Sequence, residues 1–349
     1  IKAFNISGAT KSSLVAIEAG SFYLNGNLLA TLPAGGVQKF DSVKFDKISS
    51  DKAFFVAGLK RIKNGANYNG NMVWTTQDWA DKSFAFAASR SATHILSVVA
   101  YEDLTVTVKT GTTLIATVTL SSDQGSDIEL PHNANYQISS TGFISASIYS
   151  ATSNKNQIQD PRPILPTSTD LIGVPSRWGY MSASVLNTEI KGTHSNDQVF
   201  SHTFSDLNSL YQINPQGSSD RYKSNAVRIQ STSPIEAISV ADYDGYCAAP
   251  FIPRAKMKNT YAINVASQWV AFVSIEPGTI TATKPDGSTL SLELERTGTS
   301  PEAPYKARTT DLPEGTIFKS TVKMGAWYEP KADSYGANDD ETLLFGYNL

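Results

Sequence analysis

Ile48-Ser49-Ser50-Asp51 has three counterparts further along the chain: Ile138-Ser139-Ser140-Thr141, Ile229-Gln230-Ser231-Thr232 and Phe318-Lys319-Ser320-Thr321. Their shared serines stand at 50, 140, 231 and 320, so the spacings are 90, 91 and 89 residues. A period of that length implies one structural unit copied along the chain. A second landmark keeps step with the first. Asn71-Met72-Val73-Trp74, Pro163-Ile164-Leu165-Pro166, Pro250-Phe251-Ile252-Pro253 and Thr342-Leu343-Leu344-Phe345 begin at 71, 163, 250 and 342. The last of these closes the sequence, whereas the sequence opens without one. The expected units are therefore repeat 1 at 1–60, completed by 338–349, then repeat 2 at 61–151, repeat 3 at 152–246 and repeat 4 at 247–337.

Period-two patterns dominate within each unit. Thr105-Val106-Thr107-Val108 leads through Thr110-Gly111 into Leu114–Leu120, and Thr279–Thr283 leads through Pro285-Asp286-Gly287 into Leu290–Leu294. Glycine supplies the positive φ that such hairpin turns require. Apolar runs such as His94–Ala100 and Trp269–Ile275 precede these hairpins and suit strands buried on both faces. The fold class expected is all-β: four repeats of ~90 residues in a closed, propeller-like array whose N- and C-terminal strands pair. Radial closure protects strand edges that would otherwise invite aggregation. A propeller blade needs only about 40–50 residues, so tandem β-sandwiches are the alternative.

Composition narrows the function classes. Of 349 residues, 40% are hydrophobic, which suits a globular protein, and only 17% are charged, against roughly 25% in ordinary soluble domains. Net charge is −3, with no basic stripe for a phosphate backbone, so nucleic acid is not an expected partner. A lone cysteine, Cys247, excludes an internal disulfide framework. No apolar run approaches the 18 residues of a spanning helix, so membrane insertion is not expected. The opening Ile1-Lys2-Ala3-Phe4-Asn5 has no signal-peptide pattern.

Several residues are candidates for chemistry. Asp242-Tyr243-Asp244-Gly245 begins like a calcium loop, but position twelve is Pro253 where that loop needs Glu. Asp242 and Asp244 stand as the metal candidates, against a plain polar turn. Asn338–Glu341 is an acidic run that could bind a cation or discourage edge pairing. Glu102-Asp103 and Glu276 recur just before a hairpin, which favours a turn role over a glycosidase pair. His194 and His202 lie eight residues apart, outside any zinc spacing. Trp79 and Trp178, beside polar turns, are the candidate binding surface; the other tryptophans are expected in the core. No nucleophile, phosphate or dinucleotide motif is present, so neither catalytic residue nor cofactor is expected.

Ser97–Ala100 followed by Thr105–Val108, then Ser176-Arg177-Trp178-Gly179-Tyr180, then Arg228–Ser231 with Pro234-Ile235, resemble elements of the IgGFc-binding-protein N-terminal domain. That resemblance implies an extracellular adhesion module without catalytic residues. It does not extend to that family's cysteines, so immunoglobulin binding is not implied. The Ser/Thr/Asn-rich, cysteine-poor texture also resembles virion structural proteins of marine tailed bacteriophages. The function expected is thus non-enzymatic: a structural or adhesion protein of an exposed assembly, such as a tail- or fibre-associated virion protein. The alternatives are a secreted or surface bacterial adhesin and a carbohydrate-active enzyme on a propeller-like scaffold. Expected partners are other structural subunits of an oligomeric assembly and a cell-surface glycan or protein receptor, with the protein on a virion or cell surface.

Overall fold

The computed structural model describes residues 1–63, 66–68, 72–88, 94–131, 134–150, 162–176, 178–207, 209–216, 223–240, 248–331 and 342–349. They form an all-β structure of several antiparallel sheets. The helical elements among them are single 3₁₀ turns, Gln77–Trp79 and Arg254–Lys256. This follows from the sequence, where β-branched residues alternate with neutral polar ones and helical spacing is scarce.

The long strand Ala134–Ser150 shows how a sheet is organised. Its first half pairs with Asp81–Ala88 on one side and Leu104–Thr110 on the other. Its second half pairs with His94–Ala100 and Arg162–Ile164. Between the halves the register along Asp81–Ala88 jumps from Ser139 to Ile144. Residues 140–143 therefore have no partner along Asp81–Ala88, while Ser140 still pairs Val106 on the other side, and the strand bends as bulges do. The hairpin Leu104–Thr110/Thr113–Leu120 and the strand Gly125–Leu130 complete the sheet, which curls nearly closed. Inside lie Phe84, Leu96, Val106, Ile138 and Ile148, all buried, from strands on both sides of the bend.

The same pairing accompanies each opening motif. Ile48 pairs Ala3 and Leu24, Ile138 pairs Phe84 and Val108, Ile229 pairs Leu171 and Gly192, and Phe318 pairs Tyr261 and Ala282. The register jump recurs from Gln230 to Ile235 and from Lys319 to Met324. In the first stretch it is a full break, between Lys47–Ser49 and Phe54–Lys63. The serines sit at the start of that step, and each bonds the backbone two residues on. Ser140 and Ser231 donate to the carbonyls of Gly142 (2.6 Å) and Ser233 (2.7 Å). Ser50 and Ser320 accept from Lys52 N (3.0 Å) and Val322 N (3.2 Å). The next residue ties the bend to a hairpin: Thr141, Thr232 and Thr321 hydroxyls accept from the backbone N of Thr105, Glu189 and Thr279. The hairpin turns carry the expected positive φ at Gly26, Gly111 and Gly287.

The second landmark is also a strand. Met72–Val73, Arg162–Ile164, Ala248–Pro250 and Thr342–Leu343 each pair with the latter half of the long strand just before them. Among the described residues the terminal strand forms no ladder with the opening strands, although both belong to one compact unit. Thr342–Leu343 instead pairs Tyr328 and Trp327, and Tyr347 bridges Thr260. Joining the strand immediately upstream closes a short loop, whereas the first unit lies hundreds of residues away in sequence and costs more entropy to reach.

The chain divides into two compact units. One contains 1–77, 257–295 and 305–349; the other contains 78–256 and 296–304. Within the first, Asn264 is fully buried and donates to Ser13 O (2.9 Å), while its Oδ1 accepts from Tyr328 Oη (2.7 Å). Ser13 Oγ returns a bond to Asn264 O (3.0 Å), Phe55 meets Tyr328 edge-on, and Leu59 packs on Val265. Within the second, Arg162 and Glu236 form a buried ion pair, Nη1 to Oε1 at 2.6 Å.

Candidate functional site

The hairpin Thr188–His194/Val199–Phe204 departs from its counterparts in what it carries. Alternation along Val199–Phe204 places Phe200, His202 and Phe204 on one face. Tyr211, from the short strand Tyr211–Ile213, lies between them. Its ring stacks on Phe200 at 5.8 Å and on His202 at 4.4 Å. His202 meets Phe204 edge-on at 4.9 Å, and His194 meets Phe200 at 5.7 Å. Gly192 makes room for this run of rings, because a Cβ there would collide with Phe200.

Beside the rings is a cleft of about 110 Å³. His194 and the edges of Phe200 and Tyr211 form its inner wall, and Gln198, Val199, Gln212, Asn214 and Gln216 line the rest. Gln212 Nε2 donates to Asn214 Oδ1 at 3.0 Å. His194 is 2% exposed. Burial pushes its imidazole down to about 4, opposed by a hydrogen bond to the Asn225 backbone. The ring is therefore neutral at ordinary pH. With one nitrogen donating to Asn225, the other is an acceptor, and the buried Nδ1 has no hydrogen-bond partner among the described residues.

The turn that carries His194 and Gln198 is latched from outside the hairpin. Asp197, held at φ 67°, accepts from Thr299 N (2.6 Å), Ser300 N (2.9 Å) and Thr299 Oγ1 (3.1 Å). Those backbone bonds hold its carboxyl below the usual range. Gly298 N adds a bond to Ser195 O at 2.7 Å. Arg228 extends the attachment, pairing Asp170 (2.7 Å) and Glu302.

The residues singled out from sequence fare differently. Trp79 is 2% exposed, so it is not a stacking surface; the 3₁₀ turn Gln77–Trp79 folds it inward, and Lys256 Nζ closes that turn by donating to Asp78 O and Ala80 O. Trp178 opens the strand Trp178–Ala183, where its backbone pairs Val240. Asp242, Asp244, Cys247 and the acidic run Asn338–Glu341 lie outside the described residues. Glu102 accepts from Phe143 N (2.9 Å) and Asp103 from Ser122 N (2.8 Å), so both carboxylates fasten turns. Trp74, Trp269 and Trp327 are core residues. Among the described residues no three His, Cys, Asp or Glu side chains converge as a metal-binding group. Phe200, Tyr211 and the carboxamides were not foreseen, although the alternation Phe200-Ser201-His202-Thr203-Phe204 marks one strand face as wholly aromatic.

No family model and no curated protein matches this chain. Among solved structures, the native conformation of E. coli alpha-2-macroglobulin aligns at 10% identity and a TM-score of 0.12. The alignment covers 98% of this chain, which spans about 28% of that one. At that score it carries no structural argument.

Proposed function

We propose that the chain is a tandem array of four sandwich-like copies, and that it serves as a non-enzymatic structural or adhesion protein of an exposed assembly. A tail- or fibre-associated place in a phage virion is the favoured setting. What supports the count is the recurrence of one pairing scheme around Ile48, Ile138, Ile229 and Phe318, with a serine bonded to the backbone two residues on in each and a threonine bond to the hairpin in the last three. Tandem sandwiches are favoured over a closed propeller because the terminal strand pairs within its own stretch. The observation that carries the function is that the hairpin Thr188–His194/Val199–Phe204 carries a cleft walled by aromatic rings and carboxamides. Repetition builds a scaffold, and departures from it are where recognition resides.

Partners on this proposal are neighbouring structural subunits and a receptor taken at the cleft. Among the described residues no helix is long and apolar enough to cross a membrane. The resemblance to the IgGFc-binding-protein N-terminal domain agrees with an extracellular adhesive setting. A surface adhesin is the second reading, since a cleft lined by rings and carboxamides serves a cell-surface protein equally well. Quantitative mass spectrometry of purified particles tests the first. The expected result is a fixed copy number per particle, and recovery only as a free soluble chain would overturn it.

A further inference from the structure

We infer that the cleft beside His194 binds a neutral pyranose ring of a glycan, an assignment that rests on the adhesive function proposed above. Its size is the first ground: about 110 Å³ takes part of one small ring and not a peptide segment. The rim is the second. Gln198, Gln212, Asn214 and Gln216 each present a donor and an acceptor, the complement of adjacent sugar hydroxyls. Among the described residues no Asp, Glu, Lys or Arg lines the cleft. An anionic sugar would therefore lose hydration of its carboxylate with no compensating charge.

His194 supplies the third ground. A buried acceptor without a partner is costly, and Nδ1 is such an acceptor in a residue lining the cleft. A ligand hydroxyl donating to it would remove that cost on binding. Val199, exposed at the rim, and the Phe200 edge offer apolar contact to the C–H face of the same ring. A protein receptor is the weaker match, because protein interfaces rest on broad patches with aromatic and arginine anchors.

Saturation-transfer NMR on the full chain is the test. The probes are methyl glucopyranoside, methyl galactopyranoside, methyl mannopyranoside and N-acetylglucosamine, each compared with N-acetylneuraminic acid. Transfer to at least one neutral sugar and none to the acid is expected. His194→Phe keeps a ring but removes the acceptor, and should weaken binding about tenfold or more. Gln198→Ala, on the exposed rim, should also weaken it and does not touch the core should His194→Phe fail to fold. No transfer to any neutral sugar, stronger transfer to the acid, or binding indifferent to the substitutions that fold would overturn the assignment. A fixed copy number in particles alongside such a failure would discard the sugar and keep the structural role. Sugar binding by a chain absent from particles would do the reverse.

Discussion

Arg162 and Glu236 place opposite charges almost wholly out of water, at 1% and 7% exposure. Nη1 of Arg162 reaches the carboxylate, and among the described residues its Nε and Nη2 have no hydrogen-bond partner. Removing one partner strands the other, so Glu236→Ala should cost about 3–5 kcal/mol in urea unfolding. Replacing both residues by apolar ones of similar volume should be close to neutral. His194 makes a second residue-scale prediction. Its folded pKa is about 4, against 6.5 for the ordinary group. Between those values the unfolded chain binds a proton that the folded chain does not. This contribution to stability is therefore whole above pH 6.5 and falls as pH drops towards 4, by up to about 3 kcal/mol. Unfolding followed across that range should show the fall, and His194→Gln should flatten it while His202 and Tyr211 stay in place. Neither residue was assigned its role from the sequence. Arg162 and Glu236 are 74 positions apart, and burial, which sets the state of His194, is a property of the packed sheet.

At the scale of elements, the bend in each long strand is a device built from a serine and the residue after it. The serine satisfies a backbone group released by the bulge, and the threonine catches the first N–H of the neighbouring hairpin. Each such bond is worth about 1 kcal/mol. Ser231→Ala and Thr232→Val should each lower stability by about that amount, and together by about the sum unless the bulge relaxes. Asp51 takes the threonine's place in the first stretch, and there the long strand is broken outright. Gly26, at φ 86° with nothing near its missing Cβ, isolates the backbone effect alone. Gly26→Ala should cost about 1 kcal/mol by calorimetry. Strands and hairpins were legible because alternation and turn glycines are local signals. The ladder partner of the terminal strand was not legible, because the landmark's spacing is equally compatible with pairing backwards or forwards along the chain. Pairing direction is decided by loop entropy and by which half-strand is still open, neither of which the spacing encodes. The cleft was missed for a different reason: eight-residue spacing of His194 and His202 was weighed as a metal pattern, while the aromatic alternation between them was the informative feature.

At the scale of the molecule, the first 77 residues and most of the last 93 form one compact unit, and the middle of the chain forms the other. Leu343, Leu344, Phe345 and Tyr347 are all buried within the first. Ending the chain at 341 should therefore lower amide-exchange protection in 257–341, and in 1–77 where the two stretches meet at Asn264. Protection in 78–256 should be spared, and uniform loss across the chain would contradict the division. The arrangement also dictates an order of events during synthesis. Ser13 and Phe55 leave the ribosome long before Asn264 and Tyr328 exist to cover them. The middle unit can fold while residues 1–77 wait with an uncovered face, so that stretch is finished only after 257–349 has been made. A chain stalled before residue 257 would thus leave residues 1–77 uncovered, which makes that stretch a natural handle for chaperones and for quality control.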